Sequence, residues 1–260
     1  VRRRDLHLLN PPAEWTAAAE KAAEKIRKGK KPDGYSAMWS ALKSQLADIS
    51  FKKCWYCESR QTRDDNAVDH FRPKSKYSFL AVTPENFRYS CTFCNSRRTN
   101  PATGVAEGKG DFFPLFNGSP MAKRVEDVRR EDPILLDPCV ATDPGLLDFH
   151  ANGMPCPKDP EGSRDAQRVL KSIELYHLDH PDLVEERRRL ALHIADLIRD
   201  ADELYPRVQA GGDPVSDGAF KRFAQLIARC IDDRSVLSAF ARRMVMAHRD
   251  KPWIERVLAG

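Results

Sequence analysis

Two Cys-x-x-Cys pairs, Cys54/Cys57 and Cys91/Cys94, constrain this chain more than any other feature of its sequence. Each pair forms a knuckle that aims two sulfurs at one point, and two knuckles can close a tetrahedron of thiolates around Zn²⁺. Four sulfurs leave no open coordination position, so such a site is structural. The stretch between the knuckles, residues 58 to 90, is 33 residues long, well beyond the roughly 15–20 of a plain four-cysteine module. That insertion is where function is expected.

The competing reading of the thiols is a pair of disulfides, or four unrelated buried cysteines. Disulfides need an oxidising compartment, and the basic Val1-Arg2-Arg3-Arg4 followed by Leu6-His7-Leu8-Leu9-Asn10 is too short and interrupted for a secretory signal. The total of seven cysteines is odd, which suits a reduced cytosol better than a fully paired framework. Cys139, Cys156 and Cys230 lack partner spacing and read as small buried hydrophobes. With 260 residues, 41% of them hydrophobic and none in a run long enough to span a membrane, a soluble cytoplasmic protein with one large or two small domains is expected.

Charge points to the same segment as the cysteines. Residues 51–100 hold ten of the 43 Lys and Arg (among them Arg63) but five of the 38 Asp and Glu (Asp64 and Asp65 included), and the rest of the chain balances at 33 of each. A solvated face is the ordinary meaning of such a cluster. Its overlap with the knuckles favours a phosphate-backbone contact instead, with Arg72, Lys74, Lys76, Arg97 and Arg98 as candidates. No Gly-rich phosphate loop or Gly-Lys-Ser/Thr is present, so this chain is not expected to bind ATP.

Apolar spacing predicts two N-terminal helices, one through Trp15, Ala18, Ala19, Ala22 and Ile26, the other through Trp39, Leu42 and Leu46. Strands are predicted at Val68–Phe71 and Tyr77–Val82, then a short helix from Thr92 to Arg98 that would put Asn95 and Arg98 on one face. Asn152-Gly153 after Leu147–Phe149 predicts a type I′ hairpin. Beyond Gly162 the chain reads as helical, with stripes through Leu183, Leu190, Ile194, Leu197, Ala201 and Leu204, through Phe220, Phe223, Ile227 and Ile231, and through Leu237, Phe240, Met244 and Val245. These stripes are read as a helical core rather than a cofactor site. The fold expected is α+β, mainly α, divided into an N-terminal helical segment (1–50), a zinc-stapled core (51–116), and a small strand pair with a C-terminal helical region (117–260).

Within the insertion, His70 has an unperturbed pKa of ~6.5 and suits a proton acceptor near neutrality. Asp69 offers hard carboxylate oxygens and Asn95 an amide oxygen, a sparse donor set that suits Mg²⁺ or Mn²⁺. If Asp69 and His70 share a strand, their side chains diverge. The bland reading is a turn in which Asp69 merely orients His70, and Asn86 and Asn95 are ambiguous alone because asparagine commonly bonds its own backbone. His7, His150, His177, His180, His193 and His248 have no ligand-like spacing.

The ordered set Cys-Trp-Tyr-Cys-Glu, Val-Asp-His-Phe-Arg-Pro-Lys and Asn-Phe-Arg-Tyr-Ser-Cys-Thr-Phe-Cys-Asn-Ser-Arg-Arg strongly resembles the HNH (ββα-metal, treble-clef-like) endonucleases with a four-cysteine zinc. The resemblance implies His70 as general base, Asp69 and Asn95 as catalytic metal ligands, Asn86 as brace of the loop presenting the base, and the four cysteines as zinc ligands. Asn95 stands where the family name has histidine, so its metal would be held more weakly. At lower specificity, Phe112-Phe113-Pro114-Leu115, Ile134–Pro138, the Phe149–Gly153 hairpin and Leu175–Arg187 resemble the HNH subunit of Septu and retron-associated anti-phage systems. That second resemblance implies a separate SMC/ABC-like ATPase as partner, while the ordered HNH motif implies an endonuclease cutting DNA more readily than RNA. A zinc-dependent nucleic-acid-binding adaptor without catalysis, or an RNase, are the alternatives.

Overall fold

The computed structural model describes residues 2–61 and 66–259; Arg63, Asp64 and Asp65 of the charge cluster lie outside them. The protein is mainly helical α+β and divides into two compact units, Val1–Leu147 with Pro157–His180, and Asp148–Cys156 with Pro181–Gly260. Among the described residues, no helix is long and apolar enough to cross a membrane.

The first unit opens with α1 (Ala13–Arg27), whose Trp15, Ala19, Ala22 and Ile26 recur at helical spacing and are buried. Two short helices, α2 (Ser36–Ala41) and α3 (Lys43–Asp48), follow a Pro32-initiated 3₁₀ turn. Their Leu42 and Leu46 meet α1, Trp55, Phe87 and Tyr89 in one core. The N-terminal helices therefore pack directly on the knuckle-bearing segment. Burying a side chain such as Trp55 completely stabilises the fold by about 2–3 kcal/mol.

Between the knuckles, β1 (Ala67–His70) pairs antiparallel with β2 (Phe87–Ser90), matching Asp69 to Arg88 and His70 to Phe87. The second strand is thus not at Tyr77–Val82, where the chain makes a 3₁₀ turn over Ser78–Leu80. All four β2 residues are buried, so that strand lacks the alternation that marks a half-exposed one. β2 runs straight into α4 (Thr92–Asn95), a single turn with Cys91 as its N-cap. The predicted helix to Arg98 is cut short: Ser96 is extended, and β3 (Arg98–Thr99) pairs with β4 (Ala106–Glu107). Asn100 starts the turn between these strands, its Oδ1 accepting from Ala102 N–H at 2.9 Å. Arg98 consequently leaves the face that carries Asn95. Arg88 forks onto both oxygens of Asp137 at 2.8 and 2.7 Å and pins β2 to the Ile134–Asp137 segment. Segment and α5 (Arg164–Tyr176) are joined by Leu136 N–H to Ser172 Oγ and Tyr176 O–H to Leu136 O, both 2.8 Å.

β5 (Leu147–Phe149) and β6 (Pro155–Pro157) form a separate hairpin. Its turn is not type I′. His150 N–H donates to Met154 O and Gly153 N–H to His150 O, both 2.9 Å, which makes a three-residue loop with Gly153 at φ +90° in the left-handed position. The second unit is a helical assembly of α6 (Pro181–Gln209), α7 (Pro214–Ile231), α8 (Ser238–Met246) and α9 (Ile254–Ala259). Asp213 caps α7 by accepting from Val215 and Ser216 N–H, with Pro214 in the first turn. Ile194, Leu197, Ala201, Ile227, Ile231 and Val245, on the stripes that the sequence outlines, form its core together with Trp253, which lies outside them.

Candidate metal centre and the paired strand beside it

The first knuckle turns because Glu58 adopts a left-handed conformation (φ +64°) and donates its N–H to Cys54 O at 3.0 Å. Trp55 N–H donates to Tyr89 O at 2.9 Å and lays this knuckle against β2, whose far end delivers Cys91 and Cys94. The result is a buried group of four sulfurs, Cys54, Cys57, Cys91 and Cys94, with all ligand atoms within 4.8 Å of one another. Cys57 Sγ lies 3.8 Å from Cys91 Sγ. Burial opposes ionisation of Cys54, but hydrogen bonds from the other three thiols outweigh it and bring its pKa well below the ordinary thiol value. Hydrogen bonds to Cys54 and Cys57 push Cys94 well up. Only a cation can stabilise several thiolates at such spacing. The donor set therefore fits a divalent ion of zinc's preference, and the cluster is consistent with structural zinc. Cys139 and Cys230 sit half-buried at core margins, and burial raises the thiol of each, Cys139 to about 12. Cys156 is also half-buried.

Asp69 and His70 end β1 on opposite faces. Asp69 is buried, with Oδ2 accepting from Tyr56 O–H at 2.6 Å and Oδ1 accepting from Lys109 Nζ at 2.8 Å. Tyr56 lies inside the first knuckle and stacks on Tyr176 with ring centroids 4.0 Å apart. Lys109 is strapped to the second knuckle through its N–H on Cys94 O, 3.0 Å, and the next residue, Gly110, donates to Asn95 O at 2.7 Å. Both knuckles thus hold the Asp69 carboxylate. Lys109 also donates to His70 O at 2.7 Å.

His70 is buried between Trp39 of α2 and Phe87 of β2, edge-on to both at 4.9 and 5.2 Å. Its Nε2 is 2.9 Å from Ala81 O, an atom that only accepts. The neutral ring therefore carries its proton on Nε2 and keeps a basic lone pair on Nδ1. Burial holds the imidazole below its usual pKa, with the charges of Lys74 and Lys109 acting in the same direction and Ala81 O and Asp69 against it. Asn86 clamps the chain just past His70: its Oδ1 accepts from Arg72 N–H at 2.8 Å and its Nδ2 donates to Arg72 O at 2.9 Å and to Leu80 O at 3.4 Å. Asn95 is half-buried at the end of α4, and α4 packs against β1.

The basic candidates divide. Arg72 is half-buried, its Nε 2.6 Å from Glu131 Oε2. Lys74 pairs with Asp33 at 3.1 Å beside Trp39, and Lys76 is exposed. Arg97 and Arg98 are exposed, each with its guanidinium 4.6 Å from a ring centroid, Phe112 and Phe93 respectively. Among the described cations between residues 51 and 100, Lys53 and Arg88 are buried. Lys109, Tyr56 and Glu131 are site neighbours that sequence reasoning did not single out. Lys109 sits between Gly108 and Gly110, both at positive φ. His177, at the left-handed C-cap of α5, lies with Nε2 2.9 Å from Glu107 Oε2.

No protein-family model matches the chain. It is 30% identical over 168 residues to Septu protein PtuB of Bacillus mycoides (strain KBAB4), a match covering 59% of this chain and 52% of that protein. Septu protein PtuB of Bacillus thuringiensis is 37% identical over 59 residues, 22% of this chain and 23% of that protein. The first match spans about half the length of its relative. Across more than half of its own length the chain is thus similar to a Septu protein PtuB.

Proposed function

We propose that the chain is a zinc-stapled HNH-type endonuclease that hydrolyses phosphodiester bonds in DNA, as the effector of an anti-phage defence system acting with an SMC/ABC-like ATPase. The observation that carries this reading is the placement of His70: an imidazole buried at the end of a hairpin, its Nε2 2.9 Å from Ala81 O, an atom that only accepts, which leaves Nδ1 as the base. A phosphodiester hydrolase needs such a group to take a proton from the attacking water. Asn86 holds the backbone just beyond it. Zinc at Cys54, Cys57, Cys91 and Cys94 fixes the two knuckles and takes no part in the chemistry. Lys74, Lys76, Arg97 and Arg98 supply phosphate contacts, and Arg72, already held by Glu131, is the weakest member of that set.

Asp69 and Asn95 are the proposed oxygen ligands of a catalytic divalent ion. Each Asp69 oxygen accepts one hydrogen bond, and a carboxylate oxygen has two lone pairs, so the donor chemistry suits Mg²⁺ or Mn²⁺. When bound, such an ion supplies positive charge over the phosphate and the leaving 3′ oxygen. The likeness to Septu protein PtuB supports the defence setting, and the ATPase partner is part of the same proposal. The Asp69–Lys109 ion pair, which neutralises the carboxylate internally, favours a second reading as a non-catalytic nucleic-acid-binding adaptor.

His70→Ala separates the two. In cleavage assays of the full chain with DNA and with RNA, with and without the ATPase and with Mg²⁺ or Mn²⁺, the substitution should lower the cleavage rate by about 10²–10⁴-fold while DNA binding persists. Cutting of RNA alone would replace DNA by RNA as substrate. Wild-type protein that binds but cuts neither nucleic acid in any of these conditions establishes the adaptor.

A further inference from the structure

Lys109 carries more structure than a loop lysine needs. Its side chain is completely buried, and burying an ammonium is unfavourable unless acceptors surround it. Here there are two, Asp69 Oδ1 at 2.8 Å and His70 O at 2.7 Å. Its backbone is set with equal care. Gly108 has φ +93°, and a Cβ there would collide with the Ser96 carbonyl, so the strap lies too close to the end of α4 for any side chain. The N–H groups of Lys109 and Gly110 then complete the carbonyls of Cys94 and Asn95. An ammonium fixed in this way stands on one oxygen of the carboxylate that the nuclease reading assigns to a divalent ion. Two cations sharing a buried carboxylate repel strongly, because the surrounding dielectric is low.

We propose that Lys109 is a resident cation that competes with the divalent ion for Asp69, so that metal entry requires its ammonium to yield Oδ1. The inference rests on the reading of Asp69 as a metal ligand. Lys109 is a positioning residue in this scheme. The same side chain holds the carbonyl of His70, so its displacement also releases the end of β1 beside the base.

Direct binding of Mn²⁺ to the zinc-loaded full chain, followed by the electron paramagnetic resonance of the free ion, tests this without a cleavage assay. Lys109→Gln keeps an N–H donor and removes the charge; it should bind Mn²⁺ on the order of ten-fold more tightly than wild type or better. Lys109→Arg should stay near wild type, and Asp69→Asn should lose the site. Circular dichroism checks that each variant folds. In wild type, acetylation of Lys109 by acetic anhydride, read by mass spectrometry, should accelerate several-fold on adding Mn²⁺, a measurement that needs no variant. Unchanged labelling, or Lys109→Gln affinity at or below wild type while Asp69→Asn abolishes binding, overturns the competition and leaves Asp69 as a ligand. Equal Mn²⁺ affinity in Asp69→Asn and wild type removes the ligand reading itself, and the competition with it.

Discussion

Burial sets the charge of His70. An unfolded histidine titrates near 6.5, and in the folded chain burial, Lys74 and Lys109 hold the ring lower. Between the two values the unfolded state binds a proton that the folded state does not. Stability contributed by neutral His70 is therefore fully present above about pH 6.5 and is lost as pH falls from there toward the folded value. NMR titration of the His70 ring in zinc-loaded protein should give a midpoint below about 6.5, and the acid limb of cleavage should follow it; a midpoint at or above that value would contradict burial as the dominant influence. The four-cysteine cluster is legible in the sequence because its two Cys-x-x-Cys pairs are unusual together, and Asp69 and His70 stand out by their place between them. Lys109 is not. Nothing in Gly-Lys-Gly says that the lysine points inward, since a charge is buried only where distant residues supply its acceptors, here Asp69 and His70 some forty positions away. The same blindness makes the basic cluster look larger than it is: Lys53 and Arg88 count as surface charge in composition and are internal in the fold.

At the level of elements, alternation decides what can be read. α1 and the helices of the second unit each bury one stripe, and their periodicity shows. β2 buries every residue and so has no period, while the aromatic and β-branched run at Tyr77–Val82 mimics a strand yet folds as a turn. Pro101 and Gly104, just past the predicted Thr92–Arg98 helix, belong to the β3–β4 turn, where Gly104 N–H donates to Asn100 O at 2.8 Å. Two glycines near this turn make a controlled comparison. Gly108→Ala must take a left-handed backbone and meet the Ser96 carbonyl, whereas Gly104→Ala takes a left-handed backbone in open space. In urea unfolding of the full chain, Gly108→Ala should cost about 1–3 kcal/mol or more and Gly104→Ala about 1 kcal/mol. Equal losses would mean that the close approach of the strap to α4 contributes nothing.

For the whole molecule, the four-cysteine group is the feature that a structural ion would make most consequential for the first unit. It joins segments on either side of the β1–β2 hairpin, and structural zinc sites contribute apparent binding free energies of about 10–16 kcal/mol, comparable to the roughly 5–15 kcal/mol that holds a whole domain. Cys91→Ser, or a strong chelator, should abolish the cooperative thermal transition of the first unit and leave the helices of the second folded, as differential scanning calorimetry would report. Retention of a two-transition profile with unchanged midpoints would show that the thiols hold no ion of structural consequence. The chain brings its own optical labels to that measurement. Trp15, Trp39 and Trp55 fall in the first unit and Trp253 alone in the core of the second, which accounts for all four tryptophans. Ultraviolet emission from wild type is thus weighted toward the part that holds the four cysteines, and a chain keeping Trp253 as its one indole fluoresces from the helical assembly alone.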